Sequence, residues 1–423
     1  MKKAITLKRL ISFFLSISIL FALIGNLTSC TTQRVNAQDL MKGITGQSVP
    51  LNAPDDKFYN HMADFYLKLF KKTLDENENS LISPLSVLIA LAMTANGADN
   101  ETLEQLQTYL GGEISLPTLN EYLYYYLQSL PSINKSKLNI ANSIWFRDDE
   151  DRLTVEKDFL QKNANYYNAA AHKSPFDNST LADINNWVKS KTDGMIDKIL
   201  DQIDEDTVMY LINAVVFDAE WKRVYNKDDI KNGQFTDISG QKQTAKFMFS
   251  EENLYIDNAR ATGFIKPYAN DLYSFVAILP KDDISLMDYI AFLTGEEFLR
   301  VVNSAQPTLV NAFLPKFSYD YTIKMNDGLK ELGIPKAFSS TEADFSKLGR
   351  SARGNIYIGE VLHKTFISVD ELGTKAGAVT KVEMKDESYS EAKTVKLDRP
   401  FVYAIIDNAT GLPIFIGTVN NLK

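Results

Sequence analysis

The sequence has 423 residues, of which 45% are hydrophobic and 23% charged, and its formal net charge is −9. This composition suits a chain with a large buried core and argues against intrinsic disorder. The acidic balance argues against nucleic acid as a partner, because binding phosphates requires a basic surface. A single Cys rules out an internal disulfide and a zinc centre built from Cys ligands.

The amino terminus has the pattern of an export signal, with four basic residues and no acidic one before the predominantly apolar run 10–24. Residues 27–30 (Leu-Thr-Ser-Cys) then resemble the lipobox of bacterial lipoproteins, in which the Cys becomes the first mature residue and carries a diacylglycerol. We therefore predict a lipoprotein signal peptide over residues 1–29. Its removal takes four positive charges from the net −9 and leaves −13.

Lipid on Cys30 would anchor the exported protein to a bacterial membrane, on the periplasmic face or at the cell surface. An ordinary signal peptide and a single-span anchor are the alternatives, although the apolar run is short for a span. Residues 30–56 are polar and contain two Gly and two Pro, which predicts a flexible tether. From Lys57 onward no linker, charge block or repeat divides the chain, so we predict one domain over 57–423.

Helical and strand patterns alternate in the first half of this domain. Apolar residues at helical spacing predict helices over 58–72, 85–95, 119–130 and 181–200. Ser83 is expected to cap the second helix, with Pro84 at its first position. The continuous β-rich apolar run 207–217 predicts a strand covered on both faces.

The second half is dominated by predicted strands. They cover residues 264–267, 274–279, 309–317, 356–369, 401–406 and 414–419. Helices followed by mostly antiparallel strands indicate an α+β protein.

Motifs of the common enzyme classes are missing from the sequence. It contains no dinucleotide-binding or P-loop motif, no zinc-protease motif and no nucleophile elbow; residues 349–354 (Gly-Arg-Ser-Ala-Arg-Gly) have the wrong spacing for an elbow. His61, His172 and His363 lie far apart, and none has a second ligand at metal-binding spacing. We therefore predict neither an enzyme nor a bound metal or cofactor.

The segment 371–385 carries the most information. From Thr374 to Met384 alternate positions are small or apolar, whereas the interleaved positions carry all the charge, which is the period of a strand with one buried face. Residues 386–391 are polar and unlike a strand. Two interpretations are open at this point: an exposed hairpin strand with a long loop, or a segment that exists both as a loop and as a buried strand.

This segment and several others resemble those of one known family, the serpins. Residues 79–86 (Asn-Ser-Leu-Ile-Ser-Pro-Leu-Ser), 90–98 and 101–102 are similar to the family's first motif. Further motifs follow in family order and at family spacing over nearly the whole mature domain. They are residues 184–188, 192–196 and 211–217 with Trp221, then 314–317, 332–334, 343–345, 363–364, 371–380, 398–401 and 415–417.

The resemblance implies a single α+β domain with a large central, mostly antiparallel sheet, smaller sheets, about eight or nine helices and an exposed reactive loop near 371–396. It implies a suicide-type protease inhibitor. A protease cleaves the loop and forms an acyl-enzyme, which is trapped when the loop inserts into the central sheet. Serine proteases, with cysteine proteases as a second class, are the implied partners of a monomer. A non-inhibitory serpin-fold binding module, a plain protease substrate and a surface hydrolase are the alternatives.

The resemblance also assigns residues to sites. The hinge of the loop comprises Glu371, Gly373, Thr374, Ala376, Gly377, Ala378 and Thr380. The polar cluster that controls sheet opening, called the shutter, comprises Ser83, Ser86, Asn213 and His363, and Trp221 matches the breach above it. Lys375 replaces the usual acid and Gly377 the usual Ala, both in the outward set of the hinge, where charge is tolerated.

The position of the bond that a protease would cleave stays open. The family's usual count from Glu371 and the usual count back from the motif 398–401 reach different bonds, because this loop is longer than is usual in the family. The candidates are Glu387–Ser388, Tyr389–Ser390 and, for trypsin-like proteases, the bond after Lys385.

Overall fold

Helices occupy much of the first half of the domain and a smaller part of the second. The computed structural model describes residues 35–130, 132–133, 135–148, 152–204, 207–352, 354–374 and 392–422. Its α-helices are α1 (Asp56–Lys72), α2 (Pro84–Ala95), α3 (Asn100–Gly111), α4 (Leu116–Ser129), α5 (Lys157–Tyr167), α6 (Asn178–Lys191), α7 (Leu286–Phe292), α8 (Gly295–Asn303) and α9 (Asn326–Glu331).

The predicted helix 181–200 ends earlier than the apolar spacing suggested. Helix α6 stops at Lys191 because Asp193 and Gly194 adopt positive φ angles of 51° and 75°. The Thr192 hydroxyl donates to the carbonyl of Val188 at 2.8 Å and accepts from the N–H of Ile196 at 3.2 Å, which closes the last turn. The apolar residues beyond this turn pack without helical structure.

A large mixed sheet forms the centre of the domain. In spatial order its strands are β1 (Gln38–Asp39), β5 (Ala170–Ser174), β3 (Ser136–Arg147), β6 (Met209–Glu220), β15 (Gly373–Thr374), β14 (Glu360–Val369) and β12 (Phe317–Lys324). Neighbouring strands run antiparallel except for the pairs β3–β5 and β6–β14, which are parallel. The prediction of a large, mostly antiparallel central sheet is confirmed.

A second sheet and a small pair complete the strands. In spatial order the second sheet contains β16 (Lys393–Lys396), β11 (Gln306–Pro315), β8 (Lys242–Asp257), β9 (Ala261–Pro267), β10 (Tyr273–Pro280), β17 (Phe401–Asp407), β18 (Pro413–Val419) and β2 (Ser80–Ile82), and β7 (Ile230–Thr236) pairs with β8. The small pair consists of β4 (Leu153–Val155) and β13 (Gly349–Ser351). The predicted strand 309–317 is interrupted at Lys316, which separates β11 from β12, and the predicted strand 356–369 begins only at Glu360.

Strand β6 is covered on both faces, as its continuous apolar run predicted. Its side chains alternate between two hydrophobic clusters: Leu211 and Val215 belong to the larger one, and Ile212 and Ala214 to the smaller one under α6. Helix α2 packs in the larger cluster, and all twelve of its residues are buried. The centre of the sheet is therefore enclosed by apolar layers on each side.

The flexible tether expected over residues 30–56 differs from what the structure shows over residues 35–47. Strand β1 pairs with the edge strand β5, and the Ala37 N–H donates to a carboxylate oxygen of Asp183 at 2.7 Å. The Gln47 N–H donates to the side-chain oxygen of Asn165 at 2.9 Å. The compact unit thus starts at Val35 and not at Lys57. Local composition missed this because the partners lie more than a hundred residues away.

The predicted export signal and Cys30 lie outside the described residues, and they stay predictions. Among the described helices, none combines the length and the apolar content that a membrane span requires.

Candidate functional site

His363 and Asn213 lie side by side at the centre of the large sheet. They are direct partners in the parallel register of β14 and β6, and both are fully buried. His363 Nε2 accepts the backbone N–H of Ser83 at 3.0 Å, so its Nδ1 carries the proton and donates to the Asn213 side-chain oxygen. Burial lowers the pKa of His363 to about 3, and the ring is therefore neutral at neutral pH.

The amide of Asn213 extends this cluster to a third strand. Its NH₂ group donates to the hydroxyl of Ser86 on α2 and to the side-chain oxygen of Asn142 on β3. Asn142 lies directly opposite Asn213 in the antiparallel register of β3 and β6. The structure thus brings Ser86, Asn213 and His363 together with Asn142. The sequence signal for Asn142 was its position as the single amide side chain in the mostly apolar run 140–146.

Ser83 takes part through its backbone and not through its side chain. Its hydroxyl makes no capping hydrogen bond to α2 and has no hydrogen-bond partner among the described residues. The expectation of a side-chain cap at Ser83 is therefore wrong. Every residue except proline supplies the N–H that reaches His363, so the side chain of Ser83 carried no information on this contact.

The first hinge residues already form a short strand inside the sheet. Gly373 and Thr374 pair antiparallel with Glu220 and Ala219 of β6, and Thr374 also pairs antiparallel with Val369 of β14. A Cβ on Gly373 would lie 2.0 Å from the carbonyl oxygen of Ala219, so only glycine fits there. Thr374 is buried, and its hydroxyl forms a hydrogen bond with the hydroxyl of Tyr268.

Beyond this short strand, β6 and β14 pair with each other directly. Their parallel register extends from Tyr210–Glu360 to Val215–Thr365. The two strands therefore separate only near their carboxyl ends, and β15 occupies the gap between them.

Trp221 holds the turn that leads into the hinge. Its indole stacks on Tyr268 with a centroid distance of 4.5 Å and an interplanar angle of 10°. The indole N–H donates to the carbonyl of Asp370 at 2.8 Å, and the backbone N–H donates to the carbonyl of Leu372 at 2.9 Å. Trp221, which the resemblance assigns to the breach, thus contacts the residues on either side of Glu371.

Glu371 is anchored by an ion pair with Lys316, the residue between β11 and β12. The hydrogen bond from the Lys316 ammonium lowers the pKa of Glu371, although both side chains are partly exposed. Lys316 was not predicted, because a charged partner 55 positions away leaves no local pattern in the sequence.

The remaining site predictions lie outside the described residues. They comprise the hinge residues Ala376, Gly377, Ala378 and Thr380 and the bond candidates Lys385, Glu387, Ser388, Tyr389 and Ser390. The chain is described again from residue 392, where β16 pairs in parallel with β11. The predicted loop 371–396 is thus joined to the large sheet at one end and to the second sheet at the other.

The three His serve separate structural roles. His61 bonds to the carbonyl of Leu110 at 3.1 Å, His172 stacks on Trp145, and His363 belongs to the central cluster. In the part of the chain that the structure describes, no group of three or more His, Cys, Asp or Glu is arranged to hold a metal ion.

Comparison with known families agrees with this geometry. The family model described as "Serpin (serine protease inhibitor)" matches residues 60–422. The chain belongs to the serpin family. Antithrombin-III of Mus musculus is 27% identical to this serpin over 377 residues, which cover 86% of this chain and 79% of that protein. Serpin A3-7 of Bos taurus is 30% identical over 425 residues, covering 97% and 98%.

Solved serpin structures share the fold. The native state of a thermophilic serpin, tengpin, is 58% identical and matches with a TM-score of 0.88 over 91% of this chain and 100% of that one. The latent state of tengpin matches with a TM-score of 0.78 at 59% identity, covering 90% and 100%. Thyroxine-binding globulin in complex with thyroxine, at 23% identity and a TM-score of 0.77, covers 87% and 100% and shares the fold alone.

Proposed function

We propose that this serpin is a suicide-type inhibitor of serine proteases, with cysteine proteases as a second target class. One observation carries the proposal: Gly373 and Thr374 already lie between β6 and β14 and run antiparallel to both. A chain that continues in this direction separates two parallel neighbours and pairs with each of them. Cleavage of the loop would free it to do so.

The change in strand pairing that accompanies loop insertion favours the inserted state. Parallel ladders are slightly less stable per residue than antiparallel ones, and an inserted strand replaces one parallel ladder by two antiparallel ladders. Each additional ladder hydrogen bond contributes about 0.5–1.5 kcal/mol. The protease remains attached through the acyl bond and would be carried along the sheet.

The side chains along the hinge suit such a strand. Because successive residues of a strand point to opposite faces, the buried side chain of Thr374 predicts that Ala376, Ala378 and Thr380 also point inward. Small side chains enter a packed layer without overpacking it, and no unpaired charge is buried.

The observed register predicts at which residue the inserting hinge strand has to break an existing side-chain hydrogen bond. Thr374 lies opposite Ala219 and Val369, so Thr380, six residues further, would lie opposite both Asn213 and His363. Insertion past Ala378 therefore requires the hydrogen bond between Asn213 and His363 to break. This cluster would act as the lock that keeps the sheet closed before cleavage.

Incubation of the purified protein with a panel of serine and cysteine proteases, followed by denaturing gels, tests the proposal. We expect a stable complex of summed mass with at least one protease. Cleavage of the loop without any complex would instead support a non-inhibitory binding module or a plain substrate. Mass spectrometry of the released peptide decides among cleavage after Lys385, Glu387 and Tyr389.

A matched pair of variants tests the insertion step. Ala376→Arg places a long charged side chain in the inward set and is expected to convert the inhibitor to a substrate. Lys375→Arg places the same side chain in the outward set, where the register puts it opposite the half-buried Asp218 and Ser368, and is expected to preserve complex formation. Equal behaviour of the two variants would contradict strand insertion.

We also propose that the protein is exported and anchored to a bacterial membrane through lipid on Cys30. The basic amino terminus, the apolar run and the position of Cys30 support this. Metabolic labelling with radioactive palmitate should label the wild-type chain and not Cys30→Ser. Equal labelling of both, or of neither, would contradict lipidation at this residue.

A further inference from the structure

A buried ion pair lies next to the segment that follows β6. The ammonium of Lys266 on β9 lies 2.7 Å from a carboxylate oxygen of Glu252 on β8, and the side chains are 1% and 7% exposed. Burial disfavours charge on Lys266, but the carboxylate of Glu252 outweighs it and raises the pKa of the lysine. Buried ion pairs seldom stabilise a fold beyond what apolar residues would achieve. The pair of Lys266 and Glu252 therefore needs an explanation other than stability.

The Lys266 ammonium contacts the residues 221–225, which form neither helix nor strand. It donates to the carbonyl of Arg223 at 3.2 Å and lies 4.4 Å from the ring centroid of Tyr225 and 5.3 Å from that of Trp221. Contacts of a buried cation with aromatic rings are among the stronger ones of this type. The ammonium of Lys266 thus holds Trp221, Arg223 and Tyr225 in place. The segment 221–225 lacks ladder hydrogen bonds over most of its length.

The same segment binds the last residues before Gly373. The backbone N–H of Trp221 donates to the carbonyl of Leu372 at 2.9 Å, and that of Tyr225 donates to the carbonyl of Glu371 at 3.0 Å. The indole N–H of Trp221 donates to the carbonyl of Asp370 at 2.8 Å. Two aromatic residues that contact the buried ammonium therefore bind three successive carbonyls, those of residues 370–372, in the turn that leads into the hinge.

We propose that Lys266, with Glu252 as its counter-ion, is a positioning residue for loop insertion. It holds residues 221–225 in the position in which Trp221 and Tyr225 bind the carbonyls of residues 370–372. Gly373 is thereby directed between β6 and β14. A hinge released from this support would insert later, and the acyl-enzyme would more often hydrolyse before it is trapped. This inference rests on the proposed inhibitory function.

The double substitution Glu252→Gln with Lys266→Met removes the charge without leaving a buried carboxylate unpaired. The hydroxyl of Ser250 donates to Glu252 at 2.6 Å, and the amide oxygen of Gln accepts the same bond. The matched control is Lys222→Met, since Lys222 lies in the same segment but is exposed and pairs with Asp271.

Two measurements test the proposal. Hydrogen exchange should show at least tenfold faster exchange of the Trp221 and Tyr225 amides in the double variant, with an unchanged urea midpoint. The stoichiometry of inhibition should rise at least threefold, while the affinity for a protease whose catalytic serine is replaced by alanine stays unchanged. Lys222→Met should change neither quantity.

Unchanged amide exchange in the double variant would overturn the proposal, as would equal changes in the Lys222→Met control. An increase in stoichiometry that merely follows a lowered urea midpoint would assign Lys266 a general stabilising role and also overturn it. If the wild type traps no protease at all, the inhibitory function fails, whereas the exchange of the Trp221 and Tyr225 amides still tests whether Lys266 positions the hinge.

Discussion

His363 and Asn213 connect the two central parallel strands of the sheet through a hydrogen bond from the imidazole Nδ1 to the side-chain oxygen of the amide. The bond lies at the point where the register of the hinge would place Thr380. Its geometry requires a neutral ring, because the second nitrogen accepts the backbone N–H of Ser83. The protonation state of one buried residue is thus linked to the closed state of the sheet.

Acidification is expected to weaken the fold through His363. The pKa of His363 is about 3 in the folded state, and an unfolded His titrates near its ordinary value of about 6.5. The folded state therefore disfavours the protonated ring, so this contribution is intact above about pH 6.5 and falls by roughly 1.4 kcal/mol for each pH unit below it. Urea midpoints measured from pH 7 to pH 4 check the slope. His363→Gln, which does not titrate there, should lose this part of the slope, and parallel curves for the two proteins would contradict the assignment.

Gly373→Ala is expected to expel β15 from the sheet. The added Cβ would lie 2.0 Å from the carbonyl oxygen of Ala219, a contact that backbone atoms do not tolerate. We expect loss of protection of the Thr374 amide in hydrogen exchange and a higher stoichiometry of inhibition. The control is Gly111→Ala at the end of α3, where a Cβ meets side chains at 3.5 Å or more. An inhibitor of normal stoichiometry in Gly373→Ala would contradict a close packing of the hinge.

Tyr268→Phe is expected to lower the free energy of unfolding by about 1 kcal/mol or more, because Thr374 would lose its hydrogen-bond partner while buried. The control is Tyr66→Phe, since the Tyr66 hydroxyl is buried without a hydrogen-bond partner among the described residues. Removing that hydroxyl should leave stability unchanged or raise it. Urea unfolding compares the two variants, and an equal loss in both would show that the bond to Thr374 contributes nothing.

Asp183→Ala is expected to release the amino-terminal segment from α6. The carboxylate of Asp183 is buried and accepts the N–H of Ala37, so its loss leaves that donor without its partner. Amides of residues 37–40 should exchange at least tenfold faster, as measured by hydrogen exchange with mass spectrometry. Asp197→Ala, at an exposed position that pairs with Lys189, is the control. Protection that persists in Asp183→Ala would mean that the pairing of β1 with β5 alone holds the segment.

Periodicity and residue type predicted much of this molecule. The alternation after Thr374 predicts a strand with one buried face; Thr374 itself is buried, and the rest of the segment lies outside the described residues. Asn213 was recognisable as a buried amide because it interrupts an apolar run. The same rule applied to Asn142 would have found the third strand of the cluster.

Other features depend on contacts between residues that are distant in the chain. The docking of residues 35–47, the ion pair of Glu371 with Lys316 and the backbone bond of Ser83 to His363 leave no local pattern. The composition of residues 30–56 predicted a flexible tether. Ala37 in this segment is instead held by a hydrogen bond to Asp183, 146 positions away.

The amino-acid pattern alone therefore established an α+β chain, because side-chain volume and polarity repeat with the period of each element. The resemblance to the serpins assigned the hinge and the central polar cluster. Folding established that the hinge begins between two parallel strands, and that a buried ammonium lies against the aromatic residues holding it. The first relationship requires β6 to pair with β14, whose partner residues Asn213 and His363 lie 150 positions apart. The second requires the strands β8 and β9, which carry Glu252 and Lys266, to pack against residues 221–225.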